Sequence, residues 1–473
     1  MPRQYWFNTF FRMFFCSTLL TVSGCAVGPD YMSPALNAPK RWANAQGEKQ
    51  SYNLNLHQWW KRLGDPVLNR LIEEAVQSNL DVASALVKIR EARSIRDRET
   101  GGLFPSVDGA SSITRQKTAE NVRGGNSIQT SYRGVLDASW EIDLFGGQRR
   151  TLEAAVYGER AAEEELRLVM QTLIADVAAT YVEARNYQAQ IHLARQTAAA
   201  QRDTASLIRT QYNAGSASAM DLAKADASAS STEANIPTYQ ASFSRSVHRL
   251  SILLGQEPTY LSGLMSRSKP IPSPRSLLPK AIPAVVLESR PDIRKAKYSL
   301  AQANANIGVA VANRYPKVSL TGDISTATVR FGDIGKSSTI GWSLGPSVSV
   351  PIFNAGRLRA GVDIAEAQHD QAEIAFRQAV LTALEDVENA LVSFTQERIR
   401  QGHLLNAAQK QREATRLARS LYQNGSTSFL EVLDAERSLY AAETSLLQSR
   451  SALAVNYVTL AKALGGGWDG GVK

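Results

Sequence analysis

Tyr212-Asn213-Ala214-Gly215-Ser216-Ala217-Ser218-Ala219-Met220-Asp221-Leu222 is answered later in the chain by Tyr422-Gln423-Asn424-Gly425-Ser426-Thr427-Ser428-Phe429-Leu430-Glu431-Val432, and the two glycines stand 210 residues apart. Helical patterns flank both stretches. The middle of each is Asn, Gly and Ser, residues that end one helix and cap the next. A glycine at a helix C-terminus takes the left-handed conformation without a Cβ clash. Ser218 and Ser428 are then placed to accept hydrogen bonds from the first free N–H groups of the following helix. Asp221 and Glu431 fall in that helix's first turn, at the positive end of its dipole. Each stretch reads as the tip of a helical hairpin, and two copies at a fixed spacing mark an internal duplication.

Outward from the tips the pattern stays doubled. The long helix before the first tip runs from about Gln148 to Tyr212, with Met170, Ile174, Val177 and Tyr181 at steps of 4, 3 and 4. Its counterpart ends at Tyr422, with Val380, Leu384, Val387, Leu391 and Phe394 at steps of 4, 3, 4 and 3. Such narrow seams pack against neighbouring helices. A helix of about 65 residues is about 98 Å long and needs neighbours along its whole length. After each tip a shorter helix runs to Leu254 or Leu464, where Gly255 or Gly465 stops it. Before the strands a helical pattern covers about Val67 to Thr100. Its second copy starts at Ser289-Arg290-Pro291-Asp292, with Ser as N-cap, Pro in the first turn and Asp at the positive end, and reaches about Asn313. The two shorter helices of a half, stacked end to end, match the long one in length. The chain divides into a leader 1–24, an arm 25–65, a first repeat 66–255, a Pro-rich linker 256–286, a second repeat 287–465 and a tail 466–473.

Each repeat carries two strands between its helices, at about 106–117 and 131–144, then 317–330 and 339–352. A polar loop is expected at 118–129. The second strand sets Tyr132, Leu136, Ala138, Trp140 and Ile142 on one face and Arg133, Asp137, Ser139 and Glu141 on the other. The fourth sets Ile340, Trp342, Leu344, Val348 and Ile352 against Ser343, Ser347 and Ser349, with Pro346 tolerable at an edge. One apolar and one polar face suit a water-filled barrel in lipid, but four strands cannot close one. Other copies are required: two would supply eight strands, three twelve. The fold class is therefore mostly α with transmembrane β, built on a duplicated helix-strand-strand-long helix-tip-helix repeat.

The formal charge is +9. Removing Arg3 and Arg12 with the leader leaves 51 basic against 44 acidic residues, a net +7. The excess is dispersed, so solvated helix faces explain it and a nucleic-acid partner is not indicated. The apolar run from Phe10 to Val22 is too short for a spanning helix and reads as a secretion signal. It ends in Val22-Ser23-Gly24-Cys25, which resembles a bacterial lipobox and implies lipid on Cys25. Ala26, in place of an aspartate, favours the outer membrane. Cys16 lies inside the leader, so the mature chain has one cysteine and no internal disulfide.

Together, Cys25 with Val27-Gly28-Pro29-Asp30-Tyr31, Arg290-Pro291-Asp292, the paired strand-to-helix turns and the doubled Tyr-x-x-Gly-x-x-Ser tips resemble the TolC-type outer-membrane factors, in the OprM-like lipoprotein branch that includes the nodulation protein NodT. That resemblance covers essentially the whole mature chain. It implies a homotrimer with a twelve-stranded outer-membrane barrel and a periplasmic α-helical tunnel. The implied partners are a periplasmic adaptor and an inner-membrane pump, of RND type, together with outer-membrane lipid. Carried over by position, Leu430, Glu431 and Asp434 form the periplasmic gate. Gly215, Ser216, Ser218, Gly425, Ser426 and Ser428 form the adaptor-contact tips.

Catalytic chemistry finds no support. His57, His192, His248, His369 and His403 are scattered, none at metal-ligand spacing, and no Gly-rich phosphate loop occurs. No catalytic residue, metal or cofactor beyond the lipid on Cys25 is expected. The leading reading is a passive export duct for small molecules. A pore-less lipid-anchored coiled-coil scaffold and a periplasmic adaptor are the alternatives, and a nodulation-type signalling oligosaccharide is the alternative cargo.

Overall fold

A computed structural model of the chain describes residues 26–35, 38–44, 56, 58–117, 128–274 and 283–467. The leader, Cys25, His57, most of the 118–129 loop, part of the linker and nearly all of the tail lie outside the described residues. The chain forms two compact units. One collects the segments up to Pro34, Lys88–Ala162 and Lys295–Arg377; the other collects Ala35–Val87, Glu163–Arg294 and Gln378–Lys473. Each unit thus draws on both repeats. The reason is pairing: strands of one repeat bond to strands of the other, and helices of one repeat pack on helices of the other.

In the first unit, β1 (Ser106–Lys117), β2 (Ile128–Ile142), β3 (Lys317–Thr328) and β4 (Ile340–Ser349) form one antiparallel sheet in the order β1-β2-β3-β4. The β2–β3 ladder joins the repeats. Ile128 and Gln129 belong to β2, not to the loop expected there. β4 stops at Ser349, short of the expected 352, because Pro351 has no N–H for a ladder. Pro346 sits on this edge strand, opposite Leu320. In the same unit the N-terminal stretch is tied down: Val27 N–H donates to Phe145 O at 3.0 Å, Asn304 Nδ2 donates to Pro29 O at 3.0 Å, and Arg150 Nη2 pairs with Asp30 at 2.6 Å.

The helices are α1 (Pro66–Ser78), α2 (Leu80–Gly101), α3 (Gly147–Asn213), α4 (Ala219–Leu253), the short α5 (Ser262–Met265) and α6 (Pro283–Ser289), α7 (Pro291–Ala312), α8 (Arg357–Gln423) and α9 (Phe429–Ala463). α3 and α8 each have 67 residues, close to 100 Å of helix. The helix expected from Val67 to Thr100 is broken at Asn79. Asn79 Oδ1 accepts from Asp81 N and Val82 N at 2.8 and 3.1 Å, capping α2. Its Nδ2 donates to Leu253 O at 2.9 Å, and Ser78 Oγ donates to Leu254 O at 2.7 Å. The break therefore supplies the donors that the last carbonyls of α4 lack. The second repeat uses the same device. Arg290 lies between α6 and α7, and its Nη1 donates to Ala463 O at 2.9 Å. Ser289 is consequently not the N-cap of α7. It ends α6, its Oγ donates to Val286 O, and Arg290 is the residue that precedes Pro291.

The core of the second unit is built from Trp59, Leu68, Leu71, Ile72, Ile174, Tyr181, Leu250, Leu254 and Tyr457, among others. Met170, Ile174, Val177 and Tyr181 are all buried, as their spacing requires. One polar chain crosses this core. Asp65 caps α1 by accepting from Val67 N at 2.8 Å and also accepts the Tyr181 hydroxyl at 2.7 Å. The Arg185 guanidinium lies 4.9 Å from the Tyr181 ring centroid, and its Nη1 donates to Arg267 O. Burial, and then the bond to Asp65, push the Tyr181 phenol up.

Candidate functional site

Both tips fold alike because their backbones solve the same problem. Gly215 and Gly425 have φ of 76° and 71°. Gly215 N donates to Tyr212 O and Ser216 N to Gln211 O; Gly425 N donates to Tyr422 O and Ser426 N to Leu421 O. These paired bonds close a helix C-terminus around a left-handed glycine. Beyond each glycine a serine begins the next helix with extended backbone. Here the copies part. Ser218 Oγ accepts from Asp221 N at 3.1 Å and donates to the Asp221 carboxylate at 2.7 Å. Ser428, expected to do the same, makes no side-chain cap. Aspartate reaches back to orient the serine hydroxyl. Glu431 extends one methylene further and is exposed.

The six tip residues Gly215, Ser216, Ser218, Gly425, Ser426 and Ser428 are all exposed. Leu430, Glu431 and Asp434 are exposed together on one face of α9, with Leu430 at 56%. The opposite face of the same turns carries Phe429, Val432, Leu433 and Glu436, all buried. Phe429, Val432 and Leu433 pack with Ala205, Ile208 and Ala225 in a hydrophobic cluster of their own at the tips. This cluster was missed in the sequence because its period is split between two distant hairpins.

The sheet separates its faces. Leu136, Ile324 and Trp342 lie in one cross-strand row, and Ile142, Val318 and Val348 in another. Trp342 is 77% exposed, and Val107, Ile113, Leu136, Ile324, Leu344 and Val348 are exposed beside it. So large a bare apolar face calls for lipid or protein cover. No helix among the described residues is long and apolar enough to cross a membrane. The other face holds Asp108, Asp137 and Asp323 in one row across β1, β2 and β3, and Ser343 of β4 donates to Asp323.

His369, Asp370 and Glu373 bring three ligand atoms within 4.8 Å of one another on α8. The His–Glu spacing of four residues was legible, although no second histidine or cysteine accompanies it. Arg377 lies 3.6 Å from Glu373, and both carboxylates are exposed, so the cluster reads as ordinary surface charge.

The profile of the outer membrane efflux protein family matches residues 71–256 and 282–466, one block for each repeat. The chain belongs to that family. Nodulation protein T of Rhizobium leguminosarum bv. trifolii is 32% identical over 458 residues, covering 95% of this chain and 96% of that protein. The cation efflux system protein CusC of Escherichia coli K12 is 32% identical over 461 residues, covering 96% and 98%. Among solved structures, the outer-membrane channel OprN superposes with a TM-score of 0.88 at 34% identity, over 94% of this chain and 100% of that one. The open state of the MtrE channel of Neisseria gonorrhoeae gives 0.82 at 29% identity, over 94% and 99%. Membership makes this chain an outer-membrane efflux channel protein, and its fold is the TolC-like one of helices with a transmembrane sheet. The scaffold and adaptor alternatives are set aside, since the solved relatives are channels.

Proposed function

We propose that three copies of this chain close their sheets into a twelve-stranded barrel and gather their hairpins around one periplasmic mouth. The observation that carries this reading is the two-faced sheet with open edges at β1 and β4. Its apolar face suits lipid, its polar face suits a water-filled bore, and four strands are half of the smallest usual barrel. The exposed residues Ile374, Leu381, Val392 and Ile399 on α8 add a helical seam for a neighbouring copy.

In this reading the duct is passive. An RND-type inner-membrane pump supplies the energy, a periplasmic adaptor seats on the grooves at Gly215, Ser216, Ser218, Gly425, Ser426 and Ser428, and lipid on Cys25 fastens the arm to the membrane. Leu430, Glu431 and Asp434 narrow the mouth, and the cargo is small molecules. Support for the gate is the shared exposure of those three side chains on one face of α9. Conductance of purified full-length protein in planar bilayers tests it. Small resting currents that grow in Asp434→Ala are expected. A monomer in detergent that never conducts, with or without that change, overturns the reading.

A further inference from the structure

The duplication left a ladder of ion pairs in both hairpins. Arg202–Glu233 and Arg412–Glu443 correspond at 210 residues, as do Arg209–Asp226 and Arg419–Glu436. Each pair joins the two helices of its own hairpin. Three of the four carboxylates are the ordinary rungs of such a ladder, but Glu436 differs. Its side chain is 4% exposed, where that of Asp226 is 47% exposed. Arg419 reaches Glu436 Oε1 through Nε at 3.0 Å and Nη2 at 2.8 Å. The Thr204 hydroxyl of the other hairpin, whose proton is shared with Ala200 O at 3.0 Å, lies 3.3 Å from the same oxygen.

The repeats diverge where this contact forms. Thr204 corresponds to Ala414, and Glu436 to the shorter Asp226. A second hydrogen bond between the tips, donated by the Tyr422 hydroxyl to Gln211 Oε1 at 2.6 Å, also uses a divergent position, since Gln211 corresponds to Leu421. The ladder within each hairpin is thus shared by both copies. The bonds between hairpins instead use positions at which the copies differ. Glu436 also closes the buried stripe Phe429, Val432, Leu433, whose opposite face carries Leu430 and Asp434. At about 100° per residue, fixing Glu436 fixes the rotation of α9 and so the direction of those two side chains.

We propose that Glu436 is a positioning residue of the mouth: held by Arg419 and Thr204, it ties the second hairpin to the first and keeps the Leu430–Asp434 face in its resting orientation. This rests on the reading of the tips as the gate. The test uses full-length protein in planar bilayers, with Glu436→Gln, Thr204→Val, the repeat mate Asp226→Asn, and Asp434→Ala as the check on the gate itself. Loss of a charge-assisted hydrogen bond should raise the open fraction of Glu436→Gln about tenfold. Thr204→Val should show a smaller rise and Asp226→Asn none. Spin labels at Ser216→Cys and Ser426→Cys should report a longer, broader distance between hairpins in Glu436→Gln, a change that general destabilisation of an intact trimer would not produce. If Glu436→Gln yields no intact trimer, Glu436→Asp, which keeps the charge but shortens the reach, takes its place. Asp434→Ala opening while Glu436→Gln stays closed and unspread overturns the tie alone. Equal opening by Asp226→Asn also overturns it. Neither Asp434→Ala nor Glu436→Gln opening removes the gate reading and the tie together.

Discussion

Arg290 shows how much one side chain can decide. Its side chain is 9% exposed, pairs with Asp292 at 2.7 Å and Asp386 at 2.9 Å, and donates to the last turn of α9. Replacing it by alanine takes the buried cation from two partly exposed carboxylates and leaves a helix-end carbonyl without its donor. Arg290→Ala should cost about 3 kcal/mol, read as a lowered midpoint in chemical denaturation. Asn79, its equivalent in the first repeat, makes neutral bonds, so Asn79→Ala should cost about 1 kcal/mol in the same measurement. Tyr181 provides a pH test. Its folded pKa lies above the unfolded value of about 10. The stability it contributes is therefore full below pH 10 and is lost as the pH rises through the folded value. Tyr181→Phe should lose about 1 kcal/mol at neutral pH and remove that part of the alkaline decline, as followed by denaturation at stepped pH.

At the scale of the element, the sheet makes the sharpest demand, because one residue of slip would exchange its faces. Trp342 and Ser343 are neighbours in sequence with opposite surroundings. An arginine in place of Trp342 should cost about 2–4 kcal/mol of membrane stability and deplete the folded protein from outer-membrane fractions. Ser343→Arg should assemble normally. The row Asp108–Asp137–Asp323 lies on the polar face, and three copies would place nine carboxylates around one level of the bore. Neutralising all three to asparagine should lower cation preference, measured as a smaller reversal potential across a salt gradient, with single-channel opening unchanged.

For the whole molecule, the open edges of β1 and β4 and the apolar stripe on α8 make oligomerisation a condition of folding in lipid. Cross-linking of detergent-purified protein should give a trimer as the largest discrete species. The asymmetry between the two tips belongs to this scale as well. A channel built from two equal repeats per subunit would have six equivalent hairpins. Glu436, Thr204, Gln211 and the uncapped Ser428 make the hairpins alternate, because each of these side chains differs from its repeat mate in identity or in bonding and the first three join the two hairpins of one chain.

Much of this was written in the chain. The duplication, the glycine turns, the four strands and the buried seams of α3 and α8 follow from local pattern, because helix and strand periods and left-handed turns are set by nearest neighbours. The apolar faces of β2, β3 and β4 were legible for the same reason. Tertiary structure alone decided the rest: the break at Asn79, the transfer of Ser289 from cap to helix end, the silence of Ser428, and the burial of Glu436. Each depends on where a carbonyl or a hydroxyl more than 100 residues away arrives, or on which rotamer a neighbour selects. A buried carboxylate on an apolar stripe looks like a surface charge until the partner that encloses it is in place.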